Sequence, residues 1–303
     1  MVQARQLQAI KHTNRSCRIQ MEKVLSEAEE KPPSLYSALK SRMFSTKAPN
    51  RLTMISLNID GLKQRNLEKR TEAVVKTIKE SSADIVFLQE VVPQTFSHIQ
   101  TNLPNYECIS AKDDGYFVAT LLRNGRVYFD RHKVRDYPTS LMDRHLLAVQ
   151  AHCGNVVMDL LNTHLESGKE FAAERKKQLE ECFGLMTRRP EERNVIFGGD
   201  LNLRDPEVKS VGIPSSARDV WEQLGSREEV RWTWDLQRNT NKEVEGKWKP
   251  RCRFDRLYVR PSQTENLLAE QFGLIGLEKV EGTQSFPSDH WGIRLGLKLS
   301  QEQ

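Results

Sequence analysis

The sequence lacks several features that would place the protein in a specialised class. It has no apolar run near the ~20 residues of a membrane-spanning helix, and no apolar segment typical of a secretory signal opens it. Its five cysteines are scattered, odd in number and without a Cys-x-x-Cys pair, which argues against a disulfide framework. We therefore expect reduced thiols in a nuclear protein, with the cytoplasm as a second compartment.

An excess of basic charge is also missing from most of the chain. The net charge of +5 lies within residues 1–50, which hold nine Lys or Arg and four Asp or Glu. The remaining 37 basic and 37 acidic residues cancel. A basic nucleic-acid footprint over the whole protein is thus not indicated, and any contact with a polyanion must come from local patches.

Residues 1–50 are predicted to be a separate basic tail, partly helical or disordered. Gln20 to Glu30 is compatible with a helix, and "KPPS" from Lys31 to Ser34 would end it, because proline breaks the helical hydrogen-bond ladder. A transit peptide or a weak nuclear signal is the alternative, and a flexible tail is favoured over both.

From residue 51 onward, short apolar runs alternate with amphipathic segments. The helices are predicted at 67–80 and at 170–186, where Leu179, Cys182, Phe183 and Met186 recur at helical spacing. Strands are predicted at 52–57, 83–88, 116–122, 146–151, 155–163, 194–197, 254–259 and after Trp291. Several strands follow one another without a helix, which favours mixed or antiparallel sheets over a doubly wound parallel sheet.

Polar side chains collect where these predicted strands end. They stand in six short segments: "LNIDGL", "FLQEV", "NTHLES", "GGDLNLRD", "RFDR" and "FPSDHWG". Each alone could be an ordinary turn, because Asp, Asn and Ser are common turn residues. Six in one domain predict a site at the rim of a sheet.

The side chains in these six segments are of the types that bind a hard cation and a phosphoester. Asp60, Glu90, Asp200 and Asp289 offer carboxylate oxygens, and no Cys/His spacing suited to zinc is present. Carboxylates with amides suit Mg²⁺, for which Mn²⁺ could substitute. The combination predicts a metal-assisted phosphoester hydrolase in which a carboxylate prepares water.

In order and spacing, these segments resemble the exonuclease–endonuclease–phosphatase family over residues 51–298. Further matches, including "GYF", "AAER", "NLRD" and "TWD", are similar to its 5′-tyrosyl-DNA phosphodiesterase branch. The chain departs from that pattern at Leu57, where Trp is usual, and at Lys169, where Arg is frequent. Lysine keeps the charge but lacks the two-pronged guanidinium.

The resemblance implies an α/β four-layer sandwich at residues 51–300, with two mixed or antiparallel sheets packed face to face and flanked by helices. It also implies that Asp200 activates the attacking water. The implied roles are metal binding for Glu90, Asp60 and Asp289, catalysis for Asp200, Asn202, His290, Asn58 and Asp255, and substrate binding for Tyr116, His164, Ser167, Lys169, Arg204, Trp234 and Phe254.

The implied reaction is Mg²⁺-dependent hydrolysis of a 5′-phosphotyrosyl bond, such as that of a trapped type II topoisomerase, by a monomer acting on DNA 5′ ends. Another phosphoesterase on the same fold, such as an abasic endonuclease, and a catalytically silent binding protein are the alternatives. Within "FGGDLNLRD", the two glycines are interpreted as clearance for a phosphate backbone. An extended chain there would place Asp200, Asn202 and Arg204 on one face.

Overall fold

The computed structural model describes residues 49–300. The predicted tail and its helix at Gln20 to Glu30 lie outside the described residues. No helix of residues 49–300 is long and apolar enough to cross a membrane.

Two six-stranded sheets form the centre of the described part. In spatial order, the first sheet holds β13 (Leu267–Ile275), β14 (Gly292–Leu299), β1 (Arg51–Asn58), β2 (Ile85–Val91), β4 (Phe117–Arg123) and β3 (Tyr106–Ser110). The second holds β5 (Tyr128–Asp136), β6 (His145–Cys153), β7 (Val156–His164), β8 (Asn194–Asp200), β12 (Asp255–Arg260) and β9 (Arg218–Asp219). A separate short pair joins β10 (Trp234–Asp235) to β11 (Arg251–Cys252).

Each large sheet is mixed, with one parallel pair near its centre. β1 runs parallel to β2, and β7 runs parallel to β8, whereas the other pairings are antiparallel. The carboxyl ends of both parallel pairs carry polar residues of the predicted site. The predicted mixed character of the sheets is therefore confirmed.

Within residues 49–300, five α-helices accompany the sheets: α1 (Leu67–Glu80), α2 (Pro93–Asn102), α3 (Ala172–Thr187), α4 (Asp205–Val211) and α5 (Val220–Gln223). One apolar core lies between the sheets, a second joins the first sheet to α1 and α2, and a third joins the second sheet to α3. This gives the predicted four layers, because each sheet buries one face against the other sheet and one against helices.

Both predicted helices and all eight predicted strands are present, with ends shifted by a few residues. Strands β3, β5, β9, β10, β11 and β13 were not predicted, and neither were α2, α4 and α5. β5 was not predicted because its residues are mostly exposed, so "YFDRHKVRD" shows no alternation of apolar and polar residues. Its place at the edge of the sheet explains this polarity, because charged side chains protect an edge strand from unwanted pairing.

Candidate active site

The polar segments meet where the two parallel pairs end. Asn58 ends β1, Glu90 is the penultimate residue of β2, and His164 and Asp200 end β7 and β8. Asp255 opens β12, which runs antiparallel to β8, so that it pairs directly with Asp200. Parallel strands ending together and an antiparallel strand beginning there explain how residues far apart in sequence share one rim.

Asn58 links the two sheets at this rim. Its Nδ2 donates to Asp200 Oδ2 at 2.9 Å and to Glu90 Oε1 at 3.0 Å. Its Oδ1 accepts from the backbone N–H of Asp60 at 2.9 Å. Asn58 is buried, and its amide is held in one orientation by these three partners. Two of them follow β1 or lie near the end of β2 in the first sheet, and the third ends β8 of the second.

His290 lies between two carboxylates. Its Nδ1 is 2.8 Å from Asp255 Oδ2, and its Nε2 is 3.6 Å from Asp200 Oδ2. Burial lowers the pKa of His290, but Asp255, Asp200 and Asp289 outweigh burial and raise that pKa well above the ordinary value. The imidazole is therefore held as a cation, with Nδ1–H donating to Asp255 and Nε2–H free to meet an anionic substrate.

Asp200 is ionised although it is buried. Burial raises its pKa, but His290, His164 and the hydrogen bond from Asn58 together hold that pKa well below its usual range. The backbone N–H of Asn202 also donates to Asp200 Oδ1 at 3.0 Å. Asp200 is thus a fixed negative charge surrounded by donors.

His164 is oriented by a residue that was not predicted. Arg144 Nη1 lies 2.6 Å from His164 Nδ1, and because a guanidinium only donates, Nδ1 is the acceptor. This leaves the N–H on Nε2, which lies 3.3 Å from Asp200 Oδ2 and 3.1 Å from Asn202 Nδ2. Of these two neighbours only the carboxylate can accept the proton, and Asn202 Nδ2 donates to Leu165 O. Arg144 also stands over the ring of Tyr116, with 5.2 Å from Cζ to the ring centroid. The sequence signal was weak, because Arg144 stands outside the six polar segments.

A second group of carboxylates gathers beside this network. Burial, the charge of Asp289 and the charge of Glu90 raise the pKa of Asp60 to about 7, although Arg70 opposes them. Asp60 Oδ2 is buried without a hydrogen-bond partner in the described part of the chain. An oxygen without a hydrogen-bond partner among mutually repelling carboxylates fits a divalent cation with oxygen ligands, because such an ion would offset their repulsion.

Two clusters of carboxylate and histidine side chains also have a spacing that suits a cation. Ligand atoms of Glu90, His164 and Asp200 lie within 4.8 Å of one another, and so do those of Asp200, Asp255 and His290. In the second cluster, the imidazolium of His290 already supplies the positive charge. The first cluster shares Glu90 with the carboxylate group of Asp60 and Asp289.

Three site residues adopt left-handed backbone conformations. The φ angles are 50° at Asp60, 52° at Glu90 and 51° at Asn202. Such angles are uncommon for residues with a side chain and concentrate at functional sites. The turns at Asp60 and Glu90 also lie back to back: Gly61 N donates to Glu90 O at 3.1 Å, and a Cβ at Gly61 would lie 2.3 Å from that oxygen.

Aromatic residues line one side of the network. Phe254 contacts Trp234 at 5.4 Å and His290 at 6.5 Å between ring centroids, and Arg204 lies over its ring at 5.4 Å. Trp234 Nε1 donates to Asp289 Oδ2 at 3.2 Å. The predicted substrate-binding residues Arg204, Trp234 and Phe254 thus form one contiguous group of tilted ring and cation–π contacts beside His290.

The other predicted substrate-binding residues lie around β4 and the end of β7: His164 ends β7, and Ser167 and Lys169 follow it in the next loop. Tyr116 precedes β4 and donates from its hydroxyl to Met142 O at 2.5 Å, and Ser167 Oγ lies 3.2 Å from Met142 Sδ. Lys169 is exposed and stands outside this network of contacts. Its contact with phosphate therefore stays a prediction.

The interpretation of "FGGDLNLRD" needs two corrections. The chain turns at Asn202, with φ 51°, so Asp200, Asn202 and Arg204 do not share one face of an extended strand. The turn instead lets Asn202 donate its N–H to Asp200. Both glycines are explained by neighbouring strands: a Cβ would lie 2.1 Å from Arg256 O at Gly198 and 2.1 Å from Thr163 O at Gly199. Close packing within the sheet, and not clearance for a phosphate backbone, is what requires them.

Comparisons with known proteins agree with this geometry. Residues 55–290 match the Endonuclease/Exonuclease/phosphatase family. Tyrosyl-DNA phosphodiesterase 2 of Gallus gallus is 41% identical over 243 residues, which are 80% of this chain and 65% of that protein. The protein of the same name from Homo sapiens is 38% identical over 249 residues, which are 82% of this chain and 68% of that protein. The alignments thus span about two thirds of these relatives.

A solved structure supports the same grouping. The crystal structure of Danio rerio TDP2 complexed with single-strand DNA product superposes with a TM-score of 0.80 and 38% sequence identity. It covers 82% of this chain and 100% of that chain. The structural similarity therefore extends over most of this chain.

Proposed function

The chain belongs to the endonuclease/exonuclease/phosphatase family, and from that membership we propose that it is a divalent-metal-dependent 5′-tyrosyl-DNA phosphodiesterase. The substrate is a DNA 5′ end that carries a phosphotyrosyl or peptide adduct, and the product is a 5′-phosphate. The relatives named for this activity and the TDP2 complex with single-strand DNA product support this choice of substrate.

One observation carries the proposal most directly. Four separate segments supply Asn58, Glu90, Asp200 and His290: three strands of the two sheets and the loop before β14. Hydrogen bonds or short ionic distances join these residues around one point. A buried carboxylate flanked by a buried imidazolium is expensive to fold. Such a group is expected where an anionic phosphodiester and a water molecule must be held together.

Glu90, Asp60 and Asp289 would hold the cation, which we propose is Mg²⁺, with Mn²⁺ as a substitute. When bound, the ion would supply Lewis-acid stabilisation to a phosphoryl oxygen. The residues around it have separate tasks. Asn58 fixes the carboxylates of Glu90 and Asp200 relative to each other, because its amide donates to both.

Asp200 and His290 divide the remaining chemistry between them. His290 is already protonated, so it can only donate, and its Nε2–H would stabilise charge on a non-bridging phosphoryl oxygen. Asp200 is ionised and would accept a hydrogen bond from the attacking water. Its low pKa makes Asp200 a weak base, so we assign it the orientation of the attacking water rather than uptake of the water proton. A pH–rate profile of Asp200→Asn beside His290→Gln would test this division.

The leaving group reduces the need for a strong acid. A tyrosine phenol has a pKa of about 10, far below that of an ordinary alcohol, so it departs as a phenolate more readily. Electrostatic stabilisation by the site would then suffice. The group formed by Arg204, Phe254 and Trp234 would hold the terminal nucleotide, because arginine and aromatic faces both pack on bases.

The biological setting follows from the substrate class. We propose that the protein repairs DNA ends blocked by a trapped type II topoisomerase, acts as a monomer and works in the nucleus, with a second population in the cytoplasm. Measuring repair of such adducts in cells, with the protein restricted to either compartment, would test the setting separately from the chemistry.

The decisive experiment uses a DNA oligonucleotide with a 5′-phosphotyrosine. Conversion to a 5′-phosphate in Mg²⁺ is the expected result. Cleavage of an abasic-site duplex with indifference to the phosphotyrosyl oligonucleotide would replace the proposal with an abasic endonuclease. Binding of either DNA without any turnover would identify a silent binding protein.

The metal requirement has its own test. EDTA and Glu90→Ala should each abolish conversion of the phosphotyrosyl oligonucleotide, and Mg²⁺ or Mn²⁺ should restore the EDTA-treated wild type but not the variant. Activity that survives both treatments would contradict metal dependence while leaving the substrate assignment intact.

A further inference from the structure

A buried arginine that the proposed mechanism does not use connects two of the catalytic segments. Arg70 stands in the first turn of α1 and is 1% exposed. Its guanidinium lies 3.5 Å from Asp60 Oδ2 through Nη1. It touches no predicted water-handling residue, so its place must be explained in another way.

All five N–H groups of Arg70 donate to main-chain carbonyls. Nε donates to Arg65 O, Nη1 to Ile59 O and Pro287 O, and Nη2 to Asp60 O and Lys63 O, at distances of 2.6–3.2 Å. A guanidinium has no further donor, so its capacity is fully used. Four of the carbonyls belong to the loop after β1, and the fifth belongs to the segment that carries Asp289.

The arrangement depends on the left-handed turn at Asp60. Consecutive carbonyls of an extended strand point in opposite directions, yet those of Ile59 and Asp60 both meet Arg70. The φ of 50° at Asp60 makes this possible. Arg70 therefore stabilises a backbone conformation that would otherwise cost free energy, and the same conformation sets the direction of the Asp60 carboxylate.

We propose that Arg70 is a positioning residue for the divalent cation, because it clamps the loop of Asp60 to the segment of Asp289 and so presets two oxygen ligands. The inference rests on the proposed metal site and not on the identity of the substrate. A lysine cannot replace Arg70 in this role, because an ammonium has three donors and lacks the planar fork.

The test measures Mn²⁺ binding by electron paramagnetic resonance in the absence of DNA. Arg70→Lys should weaken Mn²⁺ affinity at least tenfold while the circular dichroism spectrum is retained. Arg193→Lys is the matched control, because Arg193 also binds a carbonyl and a carboxylate, Met158 O and Asp159 Oδ2, but near the opposite end of β7. It should bind Mn²⁺ as the wild type does.

The outcomes separate this inference from the proposed function. A folded Arg70→Lys variant with wild-type Mn²⁺ affinity would assign Arg70 a purely structural role and overturn the inference. Absence of Mn²⁺ binding in the wild type would instead overturn the metal site itself. If Arg70→Lys does not fold, hydrogen exchange of the wild type decides: Mn²⁺ should slow exchange across residues 59–65 and 287–290, and protection confined to 60 and 61 would refute the clamp.

Discussion

Single residues at the rim owe their chemical state to close neighbours. His290 is cationic because Asp255 and Asp200 flank it, and Asp200 is ionised because two histidines and Asn58 face it. Neither state follows from residue type, since a buried histidine is usually neutral and a buried aspartate usually has a raised pKa.

This dependence predicts an altered pH profile in Asp255→Asn. The raised pKa of His290 keeps the imidazolium present as pH rises, and activity is lost when the pH passes that pKa. Removing the Asp255 charge lowers the pKa of His290, so the alkaline decline of kcat/KM should begin at lower pH than in the wild type. His290→Gln should lack this limb and lose about 10²-fold or more in kcat. An alkaline limb that does not move in Asp255→Asn would contradict the role of His290 as a cation.

The two glycines of β8 give a second prediction at this scale. Gly199→Ala should reduce the free energy of unfolding by about 4 kcal/mol or more, because its φ is 132° and its Cβ would overlap Thr163 O. Gly273→Ala on β13 is the control, since no atom lies within 4 Å of the added Cβ. Urea denaturation of both variants measures the difference, and equal losses would show that the strand contact is relaxed.

At the scale of elements, loops are held by buried side chains from neighbouring helices. Arg175 of α3 donates from Nη1 to Glu166 O at 2.9 Å and to Gly168 O at 2.8 Å. Its Nε and Nη2 pair with the carboxylate of Glu207 on α4, which also accepts the N–H of Arg204. Arg175 therefore joins the loop of Ser167 to the loop of Arg204.

Arg175→Lys should loosen both predicted substrate loops without touching the reacting atoms. We expect KM for the phosphotyrosyl oligonucleotide to rise about tenfold, equivalent to about 1.4 kcal/mol, with a smaller change in kcat. Arg188→Lys is a suitable control, because Arg188 is exposed at the end of the same helix. A fall in kcat with unchanged KM would instead place Arg175 among the groups that support the reacting centre.

Prediction from sequence was accurate for elements that bury one face and weak for the rest. α1 was predicted with the same ends as observed, because its apolar residues recur at helical spacing. The edge strand β5 and the left-handed turns gave no such signal. Asp60, Glu90 and Asn202 were singled out by residue type, but their backbone angles depend on partners such as Arg70, which are distant in sequence or on another element.

At the scale of the whole molecule, a buried amide bridge joins the two sheets. Asn162 of β7 accepts from Gln89 Nε2 at 2.8 Å and donates to Ala119 O at 2.8 Å and Leu88 O at 3.3 Å. Both amide side chains are fully buried. The sequence placed Asn162 with the polar residues of the site, whereas the structure gives it a role in aligning the sheets.

Asn162→Ala should therefore reduce the stability of the fold and should not remove a group that takes part in the reaction. Three buried polar groups of the first sheet would each lose a hydrogen bond, so we expect the free energy of unfolding to fall by about 2–4 kcal/mol. Asn105→Ala, at an exposed position, should change it by less than about 0.5 kcal/mol. Thermal and urea unfolding of both variants provide the measurement, and a stable Asn162→Ala variant would show that the sheets are aligned by apolar packing alone.

The sequence by itself determined the fold class, the family and most of the residues at the rim. It could do so because hydrophobic periodicity and the order of short polar segments are local properties of the chain. Only the tertiary structure decided the charge states of Asp200 and His290, the left-handed turns, the need for Gly198 and Gly199, and the parts of Arg70, Arg144 and Arg175. Those properties depend on distances between segments that meet only when the two sheets pack, and Coulomb interactions, steric overlap and hydrogen bonding all follow from such distances.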